Sequence, residues 1–234
     1  MPLMKPLNET QAETSNKSLP QSASHHTYIG MAPKWAAIAG ILAIGILYAA
    51  LPPNLILVGP NWLLLAIEGV FLIPLSIFIL TERGPSHTTI RRLLLLLLGI
   101  ITLALAGGVA LLIITLPSEH SVNLLRSAAL LWSFNILVFA LWYSEIDGGG
   151  PLKRHLAGHQ AADFMFPQQV NGNERGWVPH FLDYLFLAFT GATALSPADT
   201  YPLTRLAKAL MMIEAILSMT MIVLLAARAV NILG

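Results

Sequence analysis

The chain has 234 residues, 56% of them apolar and 11% charged, with 13 Lys or Arg against 12 Asp or Glu and no cysteine. A soluble domain of this length carries about a quarter charged residues, so the composition points to a membrane protein. The near-zero net charge offers nothing that would steer nucleic acid, and the missing thiols exclude disulfides, thiolate zinc sites, iron–sulfur clusters and cysteine nucleophiles.

Residues 1–34 are polar and rich in Ser, Gln, Asn and Pro, and they lack the apolar core of about 7–15 residues that a signal peptide shows. They cannot bury enough apolar surface to offset the entropy of ordering, so a disordered tail is expected, with His25-His26 incidental in it. A bilayer core of about 30 Å needs about 20 apolar residues in a helix. Residues 35–51, 62–80, 93–116 and 124–143 meet that length, as does a last run over 206–230. Residues 177–196 reach it only if their polar and Pro-containing ends are counted. All these runs are continuously apolar rather than alternating, which argues against a β-barrel.

Lys and Arg in short loops set orientation. TERGPSHTTIRR carries Arg83, Arg91 and Arg92, whereas LPPNLILVGP carries none, so the first loop is expected outside, the second inside, and the amino terminus cytoplasmic. Lys153, Arg154 and Arg175 put the 144–179 loop inside as well. Two arrangements of the short segment follow. If it crosses, six spans result, with SPADTYPLT outside; if it dips in and returns, five result. Arg205 and Lys208 oppose the crossing and Arg228 favours it, and the six-span form is preferred. The fold class is therefore all-α, a polytopic helical bundle of five to six transmembrane helices whose penultimate one is short or re-entrant. Its parts are a tail (1–34), a four-helix transmembrane region (35–143), a cytoplasmic loop (144–179) and a short helix plus the last span (180–234).

Ionisable residues inside a span are costly and mark candidate sites. Glu68 in NWLLLAIEGVF and Glu214 in ALMMIEAIL stand out. If both helices start from the outer side, each carboxyl lies about 9 Å deep at about 1.5 Å per residue. At matched depth the two can share a proton, line one polar cavity, or pair structurally with Arg126, Arg205 or Lys208. In the six-span form Asp183 and Arg228 also fall on one side and can pair. Asn135, Thr102 and Thr115 are expected to bond between helices, and Trp35, Trp62, Trp142, Tyr143 and Trp177 to form interfacial belts. In the loop, PLKRHLAGHQAAD repeats His155, His159 and Asp163 every four residues. On a helix that set shares a face and suits zinc with an open position for water. HLAGH lacks the Glu that H-E-x-x-H metalloproteases use as base, and Gly158 weakens the helix, so a solvated amphipathic segment is the plainer reading. Gly148-Gly149-Gly150-Pro151 reads as a flexible break before it.

The stretch DYLFLAFTGATALSPADTYPLT and the helix after it resemble the pore module of potassium-channel proteins. In those, an aromatic pore helix leads into T-V-G-Y-G-D, then P-x-T and the last helix. Asp183, Leu185, Phe186, Phe189 and Thr193 match the pore-helix style. Asp199, Pro202, Thr204, Leu206 and Ala207 match the stretch that follows, and Glu214 the L-E-A-L of the last helix. The filter itself is lost. Ala194, Leu195, Ser196, Pro197 and Ala198 stand there, and residues with a Cβ reach the backbone angles of the filter glycines only with strain. The stretches NILVFALWYSEIDGGGP, DFMFPQ and FLDYLFLAFTGATALSPADTYPLTRLAKALMM are also similar to a group of uncharacterised bacterial integral membrane proteins. That likeness implies the bacterial cytoplasmic membrane and no particular activity.

These readings lead to a non-enzymatic membrane protein without cofactor, in contact with lipid, in homo-oligomeric form if it builds a pore. It would form a path for ions or small solutes through Glu68, Glu214, Asp183 and Asp199, with Ser196 and Pro197 shaping the constriction. A structural or regulatory membrane protein is the alternative, and a membrane metalloenzyme using His155, His159 and Asp163 a third.

Overall fold

The computed structural model describes residues 32–81, 87–115, 121–173, 176–193 and 199–233. The expected tail thus falls almost wholly outside the described residues, as do Ser196 and Pro197. Five long helices follow the apolar runs: α1 (Ala32–Ala49), α2 (Leu63–Thr81), α3 (His87–Thr115), α4 (Ser121–Ile146) and α7 (Arg205–Leu233). Between the last two come a short α5 (Pro151–Leu156), the two-residue strand β1 (Phe164–Met165), the half-length α6 (Phe181–Ala192) and the two-residue strand β2 (Tyr201–Pro202). Among the described residues three helical stretches are long and apolar enough to cross a membrane, Thr88–Thr115, Asn123–Gly149 and Arg205–Ala227.

Helix α4 is the axis of the assembly. From Phe134 onward it is buried on nearly every side, as expected of a helix that is apolar all round. Its neighbours run antiparallel to it. Gly40 of α1 lies against Leu141, and Tyr48 meets Phe134 edge-on. On α3, Arg91 reaches the Glu145 carbonyl (3.5 Å), the Trp142 indole donates to Thr102 (2.8 Å), and Gly108 faces Leu131. Thr102 therefore does bond between helices as expected. On α7, Ser218 meets Asn135 (2.7 Å). Helix α2 folds back along α1, with Asn61 donating to the Ala49 carbonyl (3.1 Å) and Glu68 against Gly45.

Helix α6 does not carry the chain from one end of this bundle to the other. Its first turns lie at the end where α4 finishes, with the Tyr184 hydroxyl on Asp147 (2.6 Å), and its last turn lies beside Trp132. The chain then returns. At Tyr201–Pro202 it pairs antiparallel with Phe164–Met165, next to Asp147 again. Twelve residues at about 1.5 Å each reach only about 18 Å, roughly half a bilayer core. This overturns the preferred crossing of the short segment. It also overturns the separation of the 144–179 loop from the 199–204 segment, since a backbone ladder and the Thr204–Asp163 hydrogen bond (2.7 Å) hold them together.

The turn that makes this possible is Gly148-Gly149-Gly150. The glycines have φ of 60°, 78° and 100°, and Gly150, with ψ 168°, occupies a region that only glycine enters without strain. The sequence reads as a flexible break, yet the turn is fixed. Asp147 and Asp163 clamp it reciprocally: Oδ1 of Asp147 accepts the backbone N–H groups of Asp163 (3.1 Å) and Phe164 (3.2 Å), while Oδ2 of Asp163 accepts that of Gly148 (3.0 Å). Thr204 links the clamp to α7, because its hydroxyl donates to Asp163 and accepts the Ala207 N–H (3.3 Å) as a helix N-cap.

Candidate functional site

Three helices converge on Glu214. The inward face of α7 carries Ala207, Glu214, Ser218 and Met221, all buried, while Met212, Ile213, Ile216, Met219 and Val223 are exposed. From α4, the Tyr143 hydroxyl donates to Oε2 of Glu214, and Asn135 donates to the Ser218 hydroxyl and the Glu214 carbonyl (3.4 Å). Asn135 is thus the interhelical bond expected of it. Tyr143 is not the interfacial aromatic expected, because it is fully buried on a partner 71 positions away. From α6, Gly191 supplies the missing bulk. A Cβ there would stand 2.8 Å from Oε2 of Glu214, so a side chain at this position would make the carboxyl move. That last turn presents carbonyls, and Trp132 donates to that of Ala192 (3.4 Å). Among the described residues no donor reaches Oε1 of Glu214 or uses Oδ1 of Asn135.

Glu68 is equally buried but stands apart. Its carboxyl lies against Gly45 of α1, where a Cβ would be 2.9 Å from Cδ, and no donor among the described residues reaches either oxygen with hydrogen-bond geometry. Helices α2 and α7 run in opposite directions, so the two carboxyls do not sit on helices that start from one side. Each has its own neighbours, Glu68 on α1 and Glu214 on α4 and α6. The expected cationic partners do not join them. Arg126 is exposed at the start of α4, and Arg205 and Lys208 are exposed at the opposite end of the bundle. The ion pair found among the described residues is Arg154–Asp147 (3.7 Å).

Asp147 shows what a completed buried carboxylate looks like in this chain. Two backbone N–H groups, the Tyr184 hydroxyl and Arg154 surround it, and Arg154 also donates to the carbonyls of Ser144 (3.1 Å) and Asp147 (2.9 Å). The Arg154 guanidinium lies over the Tyr184 ring, 5.2 Å from its centre. Sequence reasoning did not single out these residues. The signal available was the SEIDGGGP stretch, where an acid sits beside glycines.

The other expected site residues take separate places. Asp183 accepts the His180 N–H (2.7 Å) and so caps the start of α6. Its expected partner in the six-span form, Arg228, lies near the far end of α7 with its side chain outside what is described. Asp199 is exposed in the turn before β2. His155, His159 and Asp163 do not share a helical face, because α5 stops at Leu156 and Gly158 and His159 both adopt positive φ. The two histidines still meet, Nδ1 of His155 lying 3.2 Å from Nε2 of His159, whereas Asp163 belongs to the turn clamp. Among the described residues no group of three or more metal-ligating side chains assembles. His159 is held below the usual histidine range by partial burial first and then by the charges of His155 and Arg154.

No family model, curated protein or solved structure matches this chain.

Proposed function

We propose that this chain is a non-enzymatic integral membrane protein that carries a small cation, protons included, along the seam between α4, α6 and α7, with Glu214 as its station. The observation that supports this reading most is the meeting of a buried, under-coordinated carboxyl with the carboxyl end of a half-length helix. A helix carboxyl end carries about half a negative charge, and half-helix ends of this kind coordinate cations in transporters. A buried carboxyl short of donors calls for a proton or a cation. Helix α7 supports the membrane setting, because its exposed side carries Met212, Ile213, Ile216, Met219 and Val223 while Glu214 and Ser218 are turned inward, a pattern suited to lipid outside.

In this reading α1, α2, α3, α4 and α7 cross the bilayer and α6 is re-entrant. Arg91, Arg92, Lys153, Arg154, Arg205 and Lys208 then gather at the end where α4 finishes, against Arg126 and position 228, also Arg, at the other. The positive-inside rule makes the first end cytoplasmic. The amino terminus keeps its expected side. The 199–204 segment, expected outside in the six-span form, then lies on the cytoplasmic side. Without filter glycines, selectivity by a carbonyl ring of the potassium-channel kind is not part of the proposal.

Reconstitution of the full chain in liposomes, with proton, sodium or potassium gradients and a fluorescent reporter, tests it. Flux in the wild type should fall more than about tenfold in Glu214→Gln, equivalent to about 1.4 kcal/mol at the barrier. Equal flux in the variant removes Glu214 from the path. A structural protein is the second reading, favoured by the direct bonds from Tyr143 and Asn135 to α7. It leads if the wild type carries no cation while Glu214→Gln melts at lower temperature.

A further inference from the structure

The sequence spacing His155-x-x-x-His159 suggests a helical pair, but the structure brings the two rings together by another route. Helix α5 ends at Leu156, Gly158 turns left-handed (φ 66°), and His159 follows it there (φ 55°). His159 is the one non-glycine residue with positive φ among the described residues. A left-handed residue with a side chain costs about 1–2 kcal/mol, so something must hold it. Gln169 donates to the His159 carbonyl (2.8 Å), Asn173 donates to the same oxygen (3.1 Å), and the His159 N–H donates to the Arg154 carbonyl (2.9 Å). Both amides are buried and fixed at their other ends. Gln169 accepts the Phe166 N–H (3.1 Å), and Asn173 brackets Trp177 through its N–H (2.8 Å) and carbonyl (2.9 Å). The loop after α5 is thus built to aim the His159 ring back at α5.

What it meets is Nδ1 of His155, at 3.2 Å from its own Nε2. Two imidazole nitrogens bound at about 2.0–2.1 Å to one tetrahedral zinc ion stand about 3.3 Å apart. The two rings share a hydrogen bond at this distance with no metal needed, and the same separation fits that bite. Nothing else among the described residues bonds Nδ1 of His159, so the meeting with His155 is the polar contact its ring makes. His155 is exposed, which leaves the outer side of the pair open to water.

We propose that His155 and His159 form a two-imidazole clamp for a divalent transition metal ion of the zinc class, with water completing its coordination. The ion would tie the end of α5 to the loop that follows. Asp163, expected in such a set, takes no part. The clamp stands on this geometry alone and does not depend on a cation path at Glu214.

The full chain, purified through a tag without histidine, would be titrated with zinc against a chromogenic chelator. One ion per chain should bind in the wild type, and His155→Ala and His159→Ala should each weaken binding at least about tenfold, the loss seen even for supporting residues at metal sites. His25→Ala/His26→Ala should bind as the wild type does. His155 is exposed, so its variant should melt at the wild-type temperature in chelator, which separates lost ligation from lost fold. Zinc binding that survives in both single variants, or that vanishes with the tail pair, overturns the clamp. So does a wild type that binds none.

Discussion

Buried acidic residues in this chain fall into two kinds, and the number of donors separates them. Asp147 accepts from two backbone N–H groups and the Tyr184 hydroxyl and pairs with Arg154, so its charge is compensated where it stands. Glu214 has the Tyr143 hydroxyl, and Glu68 lies against the Gly45 backbone with no donor in hydrogen-bond geometry among the described residues. The first kind holds a turn; the second leaves carboxyl oxygens without a donor among the described residues. His159 lies in the loop after α5, outside the long helices. Because the folded protein holds His159 below the unfolded value of about 6.5, the unfolded chain binds more protons as pH falls through that value. The His159 contribution is therefore intact above about pH 6.5 and lost as pH falls toward the lower folded value. Melting temperatures of the wild type and His159→Gln, measured in chelator from about pH 8 to about pH 5, should show the wild type losing ground to the variant on acidification. A gap constant with pH contradicts that.

At the scale of elements, the long helices were legible and the return of the chain was not. Apolar runs of 17 or more residues announce α1, α2, α3, α4 and α7 to within a few positions, because a continuous apolar run has no other stable form in lipid. Strands of two residues have no period to read, and their register joins Phe164 to Pro202 across most of the loop and α6. The triple glycine was visible, but whether glycines mean freedom or a required left-handed turn depends on what clamps them. Here Asp147 and Asp163 do. Gly150→Ala tests the difference. At φ 100° and ψ 168° a side chain is strained, and its Cβ would stand 3.4 Å from Nε of Arg91 and 3.5 Å from the Glu145 carbonyl. A loss of about 1–3 kcal/mol is expected in chemical denaturation. A loss within about 0.5 kcal/mol, the range of ordinary surface substitutions, would mean the turn is a mere linker.

The whole molecule gives the site its direction. Four helices, α1, α3, α6 and α7, run antiparallel to α4, and both the first turns of α6 and the 201–202 strand rest at the Asp147 end, while the last turn of α6 rests beside Trp132. Glu214 lay legible as a charged residue in a span, but its partners did not. Tyr143, Asn135 and Gly191 come from elsewhere in the chain, and only the packing of α6 and α7 on α4 unites them. Because the chain has no cysteine, single substitutions can report this arrangement without background. Lys153→Cys and Asp199→Cys lie on opposite sides in a crossing topology and on one side in the re-entrant one. Val58→Cys, exposed in the turn between α1 and α2, marks the other end. With a membrane-impermeant maleimide on intact cells, Val58→Cys should label, while the other two label only after permeabilisation. Reversed labelling of all three keeps the re-entrant fold and inverts the orientation. Labelling that separates position 153 from position 199 removes the hairpin, and with it the seam that brings Glu214 to the end of α6.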